Sequence, residues 1–125
     1  MFRFPKEQKL CHKKEIERLF KRGKSISQKS FTVIWDLPEI YNDSVLLKTL
    51  IIVPKKKIKL AVQRNLVKRR IKEAYRIQKN HLELFLESNK QQLNIAIIYQ
   101  EEEILEYKKI DQKINLFLDR LINDL

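Results

Sequence analysis

The sequence predicts an α+β domain with a mixed sheet. Three observations carry this: three β-branched or aromatic runs, segments of helical period before, between and after them, and the resulting order α-β-β-α-β-α. With 125 residues, 43 % of them hydrophobic, residues 1–125 suffice for one domain with a core of its own and not for two. That order indicates α+β or a mixed sheet with helices on one side.

The first helix is expected over residues 11–22, "CHKKEIERLFKR", where Ile16, Leu19 and Phe20 share a face and Lys13 can pair with Glu17. Gly23, the only glycine, follows Lys21 and Arg22 and suits a left-handed helix C-cap. "SFTVIWDLP" (30–38) alternates Phe31, Val33 and Trp35 against Thr32, Ile34 and Asp36, which is a strand ended by Pro38. "VLLKTLIIVP" (45–54) reads as a second strand buried over much of its length and stopped by Pro54. The turn residues "YNDS" between them predict an antiparallel hairpin. A basic helix follows over about 62–78, with "LELFLES" (82–88) as a second helical piece, and then the strand "NIAIIYQ" (94–100). Ile110, Ile114, Phe117, Leu118, Leu121, Ile122 and Leu125 recur at helical spacing, so the chain ends in an amphipathic helix packed on the sheet.

Charge is the strongest functional signal. The chain carries a net +11 and a pI near 9.8, and residues 54–76 alone hold ten lysines and arginines against one acid, Glu73. Residues 80–125, by contrast, carry 5 bases and 9 acids. A polyanion therefore meets the middle of the chain, helped by the N-terminal part, with nucleic acid first in line and an anionic membrane surface second. On the basic helix Val67, Ile71, Ala74, Tyr75 and Gln78 fall on one face, and Asn65, Lys68, Arg69, Lys72 and Arg76 on the adjacent arc. A merely solvated helix would interleave acids for support at i,i+4, so unrelieved like charge points to a partner that relieves it. The run "PKKKIKL" has three readings: a nuclear import signal, a solvated connector, or a phosphate-contacting loop. Its continuity with Arg64 to Arg76 favours the loop, formed by Lys55, Lys56 and Lys57. Asn65 either caps the helix or bonds a phosphate or base, and Glu73 reads as an intrahelical partner of Arg69 and Arg76.

Chemistry borne by the protein finds little support. The dense acids Glu101, Glu102, Glu103 and Glu106 read as a solvated turn, not as ligands for Mg²⁺. His12 and His81 lack zinc-ligand spacing, and one glycine allows no phosphate-cradling loop. The single Cys11 has no partner for an internal disulfide and fits an intracellular protein. No apolar run is long enough to span a bilayer, and "MFRFPKEQKL" lacks a signal-peptide core, so the expected location is cytoplasmic.

"AVQRNLVKRRIKEAYR" (61–76) resembles the signature of the bacterial ribonuclease P protein subunit, roughly A-V-x-R-N-x-x-K-R-x-x-R-E-x-x-R. Ala61, Val62, Arg64, Asn65, Lys68, Arg69, Glu73 and Arg76 match in register. The similarity extends to "FPKEQKL", "LFKRGKS", "SFTVIW" and "VPKKKIKLAVQRN", and so to nearly the whole chain. The chain departs from the pattern at Leu66 and Lys72, where the family usually has arginines, at Lys59-Leu60 for a commoner Gly-Lys, and at Ile16 for a frequent aromatic. Lysine keeps the charge but loses the planar fork, and Leu66 removes a charge outright.

The resemblance implies a two-layer α/β sandwich, similar to a ribosomal-protein fold, with a mixed sheet of about four strands. It also implies a left-handed βαβ crossover through the basic helix, against the usual handedness. It further implies two partners, a catalytic RNA subunit and precursor tRNA, with no membrane and no obligatory protein partner. The RNA, with Mg²⁺ held mostly by RNA and no cofactor on the protein alone, cuts the precursor at the mature 5′ end. Arg64, Asn65, Lys68, Arg69, Lys72 and Arg76, with Lys55, Lys56 and Lys57, then face the catalytic RNA. A cleft between the first helix and the sheet takes the single-stranded 5′ leader, with Phe20 and Phe31 as stacking faces and Phe2, Phe4 and Trp35 behind them. Lys13, Arg18, Lys21, Arg22 and Lys29 line the same groove. Each of these aromatics is equally open to a core reading. Competing functions are another RNA-binding protein of this fold, a DNA-binding regulator and an autonomous metal nuclease. The regulator lacks a short-turn helix pair before the basic helix.

Overall fold

The run Leu93–Tyr99 is apolar on both of its faces, and that property organises the sheet. The structure is a computed structural model and describes residues 10, 13–38 and 45–125. In chain order the elements are α1 (Lys13–Arg22), β1 (Lys24–Ser27), β2 (Phe31–Asp36), β3 (Leu47–Ile52), α2 (Ala61–Ser88), β4 (Leu93–Tyr99) and α3 (Tyr107–Asp124). Every residue of β4 except Ile98 is buried, so it needs a strand on each edge and a cover on each face. It takes the middle of a four-stranded sheet of order β1-β2-β4-β3, antiparallel to β2 and parallel to β3.

This corrects the expected hairpin. β2 and β3 follow one another in sequence but do not pair, because β4 comes between them. The "YNDS" turn lies outside the described residues. β2 pairs instead with β1, through a turn in which the Gln28 N–H donates to the Phe31 carbonyl (2.8 Å). β1 was not expected from the sequence; its four residues, "KSIS", hold a single buried side chain, Ile26. The basic helix and the segment 82–88 form one continuous helix of 28 residues, which joins the parallel strands β3 and β4.

Helices lie on both faces of the sheet, not on one side as the element order suggested, because Ile34, Leu50 and Ala96 make the second face apolar as well, and the two faces are covered differently. On one, Phe31, Val33, Trp35, Leu47, Ile95, Ile97 and Tyr99 pack against Val67, Ile71, Ala74, Tyr75 and Leu82 of α2 and Ile110, Ile114, Phe117 and Leu121 of α3. Tyr75 crosses this layer with its hydroxyl 2.9 Å from Thr49 Oγ1, and burial holds the phenol above its ordinary pKa. On the other face, among the described residues, Ile16 and Leu19 of α1 and Leu10 before it cover Ile34, Leu50 and Ala96. Two polar ties fix α1 there: Glu15 accepts from Lys48 and from Asn94 (3.2 Å each), and Arg18 Nε lies 3.1 Å from Asp36 Oδ2.

Gly23 joins α1 to β1, and its role differs from the expected left-handed cap, since no glycine has a positive φ. The reason for glycine is space. A Cβ at this position would stand 2.7 Å from Ile34 Cγ2 and 3.1 Å from the Trp35 carbonyl, and would press on the Leu19 carbonyl. The absence of a side chain is what allows the end of α1 to reach the sheet.

Candidate nucleic-acid interface

The basic surface begins at a rigid turn. The Lys57 and Ile58 N–H groups both donate to the Pro54 carbonyl (3.0 and 3.1 Å), and Ile58 is buried as an anchor. Lys55 and Lys56 are thereby held in solvent, with Lys57 half-buried beside them. α2 then begins at Ala61 behind an extended N-cap, Leu60, with no side-chain cap bond, so Asn65, five residues beyond the cap, is not the cap. The first turn carries no acid, which leaves the positive end of the helix dipole uncompensated next to the lysines.

Arg64 does two things the sequence did not reveal. Its Nη1 donates to the carbonyls of Ile58 (3.0 Å) and Lys59 (2.6 Å), fastening the lysine turn to the first turn of α2. The residue is thus first a clamp on the turn, and only its remaining guanidinium N–H groups are left for a phosphate. Arg64→Ala should therefore cost the free protein about 1–2 kcal/mol of stability, as expected for charge-assisted bonds that water partly replaces. A lower melting temperature for the variant with no RNA present is the expected result; an unchanged melt would mean that the clamp contributes nothing.

Beyond the clamp, the apolar face of α2 fixes its rotation. Val67, Ile71, Ala74 and Tyr75 are fully buried, and Gln78 Nε2 donates to the Asp111 carbonyl (2.9 Å) and carboxylate (2.6 Å). At 100° per residue this turns Asn65, Lys68, Arg69, Lys72 and Arg76 outward. Asn65, Arg69 and Arg76 are exposed, and Lys68 and Lys72 half-buried. Glu73 pairs with Arg76 (Nη2 to Oε1, 2.5 Å), which holds its carboxyl below the usual range. Arg70 turns the other way and donates to the Leu105 carbonyl (2.7 Å), so it belongs to the loop before α3 and does not replace the charge missing at Leu66.

The second predicted surface lies across the sheet, beside α1, and the structure redistributes its residues. Phe20 is 46 % exposed and remains a stacking candidate, with Lys13, Lys21 and Arg22 exposed on the same helix. Phe31 does not belong there. It is 0 % exposed on the α2–α3 face, edge-on to Tyr99 at 5.5 Å and tilted against Phe117 at 5.9 Å, so it offers no face to a base. Trp35 shares that face, buried, with Lys24 Nζ 5.3 Å from its ring centre. Arg18 is engaged with Asp36 and positions α1. Phe2 and Phe4 lie outside the described residues.

What the sequence reading missed is the floor of the groove. Among the described residues, the cover on this face, α1 with Leu10, lies over one end of the sheet. Beyond it, Ser27, Thr32, Ile98 and Ile52 stand in register across β1, β2, β4 and β3, none of them buried. Strand alternation carries the signal: if Phe31 and Val33 face the core, Thr32 faces away from it.

Comparison with known proteins agrees with this architecture. A family model described as Ribonuclease P matches residues 4–122. The ribonuclease P protein component of Porphyromonas gingivalis is 27 % identical over 124 residues, covering 99 % of this chain and 90 % of that protein. Two solved structures share the fold. The RNase P protein of Staphylococcus aureus superposes with a TM-score of 0.73 at 21 % identity, over 91 % of this chain and 94 % of the other. That of Thermotoga maritima has a TM-score of 0.69 at 21 % identity, over 90 % and 96 %. With the signature on α2, the mixed sheet and a family match spanning almost the whole sequence, the chain belongs to the ribonuclease P protein family.

Proposed function

We propose that this chain is the protein subunit of a ribonuclease P ribonucleoprotein that removes the 5′ leader from precursor tRNA in the cytoplasm. The observation that carries the reading is the one-sided α2. Lys68 and Arg69 on α2, and Lys55 and Lys56 on the turn that leads into it, make no ion pair among the described residues, and the opposite face of the helix is locked in the core. Cations held rigidly and left unneutralised suit a phosphate backbone, where each contact releases a counterion. This surface takes the catalytic RNA, and the groove beside α1 takes the leader. The divalent ions of the reaction belong to the RNA in this reading. The protein's share is to hold RNA and substrate together against their mutual repulsion.

The test is cleavage of a 5′-extended precursor tRNA at low Mg²⁺, where that repulsion is least screened. Protein alone, catalytic RNA alone and the mixture are compared. Cleavage at the mature 5′ end in the mixture only is expected, and cleavage by the protein alone would overturn the assignment of the chemistry to RNA. For the groove, Phe20→Ala should weaken holoenzyme binding of precursor tRNA by roughly 5- to 100-fold, the worth of one lost base stack, with mature tRNA little affected. Equal losses on both substrates would return Phe20 to a purely structural role.

A further inference from the structure

We infer that the leader's path continues beyond the sheet into a lysine-lined cleft between the β1–β2 turn and α3, which holds the backbone of the more distal leader nucleotides. This rests on the proposed leader groove and extends it. Because β4 is parallel to β3 and antiparallel to β2, one end of the sheet gathers the β1–β2 turn, the loop after β4 and the start of α2. The open row Ile52–Ile98–Thr32–Ser27 crosses the sheet at that end. With strands about 4.8 Å apart it spans about 14 Å, room for roughly two to four nucleotides at or above the ~3.4 Å stacked spacing. The row finishes at Ser27, on the edge strand, and the next residues of the chain form the turn that carries Lys29.

Lys29 stands at the mouth of a cleft of about 440 Å³ that it lines together with Lys109 and Lys113 of α3. None of the three lysines forms an ion pair among the described residues, although Glu101 and Glu103 line the same cleft. The wall is rigid: the Tyr99 hydroxyl donates to the Glu103 carbonyl (2.5 Å) and accepts from the Leu105 N–H (3.1 Å), while Arg70 holds the Leu105 carbonyl. Helix stability does not account for this placement of charge. After the N-cap Glu106, the first turn of α3 contains no acid and carries Lys108 and Lys109, cations at the positive end of the dipole, where they are unfavourable. A ligand phosphate reverses that sign. The two glutamates keep the site from holding polyanions on its own, so it engages a strand that the groove delivers.

The geometry favours the leader over the catalytic RNA as occupant. Around α2, Lys68 and Lys72 lie next to Tyr75 on the β3 side, and Arg70 points toward the loop before α3. The α2 cations and this cleft therefore lie toward opposite edges of the sheet, joined by the open row.

The experiment measures binding of the reconstituted holoenzyme to precursors whose leaders are about three or about eight nucleotides long, one within the span of the row and one beyond it. The protein is wild type or carries Lys109→Gln and Lys113→Gln, the two cleft lysines that lie outside the groove itself. The double variant should lose about tenfold on the long leader and show no loss on the short leader or mature tRNA. Equal loss on every substrate, or weaker assembly with the catalytic RNA, would move the contact off the leader and overturn the proposal. If the wild type prefers longer leaders and the variant keeps that preference, the cleft assignment alone fails. If the wild type is indifferent to any leader, the groove reading fails and takes the cleft with it.

Discussion

Replacing Lys55, Lys56, Lys68 and Arg69 together with glutamine should weaken binding of the catalytic RNA on the order of a hundredfold or more near physiological salt. It should also flatten the dependence of log K on log salt by about three units. The two effects are linked. Each cation that sits on a phosphate releases about 0.7–0.9 of a counterion, so four lost contacts remove about three units of slope and the corresponding affinity. The four positions are chosen because they combine outward placement with no role in holding the fold: they make no ion pair or hydrogen bond among the described residues. Arg64 is excluded because its guanidinium fastens the lysine turn, and Arg76 because it is shared with Glu73. The measurement is a salt titration of equilibrium binding for wild type and variant. A variant that binds less tightly with an unchanged slope would mean that the surface contributes shape rather than charge.

Such a surface depends on the core behind it. Lysine side chains are mobile and strongly hydrated, and a basic helix free to roll would present its charge in every direction. Here α2 is held by Tyr75 on Thr49, by Gln78 on Asp111 and by Arg70 on Leu105, and the turn before it by Arg64 and Ile58. The signature segment thus mixes two kinds of arginine. Arg64 and Arg70 donate to backbone carbonyls and position loops, whereas Arg69 is turned to solvent.

That division was not legible in the sequence, and the reason is physical. Helical period tells which side of α2 is buried, and Val67, Ile71, Ala74 and Tyr75 are buried as that period requires. It says nothing about which arginine turns back onto a carbonyl six residues away, because that depends on the path of the loop. The same limit hid the strand order. The pairing of β4 with both β2 and β3 is a long-range choice, decided by β4 being apolar on both faces, while adjacency in sequence favoured a hairpin that does not form. β1 escaped notice because one buried isoleucine in four residues makes no period. Phe31 is a different case. Its alternation with Val33 and Trp35 was already the pattern of a core face, and the expectation that it stacks on a base came from family position, which the burial overrules.

Phe31→Ala should accordingly destabilise the free protein by about 3–5 kcal/mol, the usual cost of emptying a fully packed phenylalanine site. The ring is enclosed by partners from separate elements, Tyr99 of β4 and Phe117 of α3, with backbone ladders holding β2 against both neighbours. Collapse of the sheet onto the helix to fill the hole would break those ladders, so little relaxation is available and the cavity stays. The loss is a large part of the roughly 5–15 kcal/mol that holds a domain of this size together. In urea the midpoint should fall sharply with the slope m retained, as for a change in stability without a change in the surface exposed on unfolding. Phe20→Ala, on the same denaturation series, should shift the midpoint far less, since its ring is already half in water. With the proposed leader binding, the pair separates the two readings open to both residues: the expected outcome is loss through the fold for Phe31 and through the substrate for Phe20. A Phe31→Ala protein as stable as wild type but selectively weak for precursor tRNA would reverse that division.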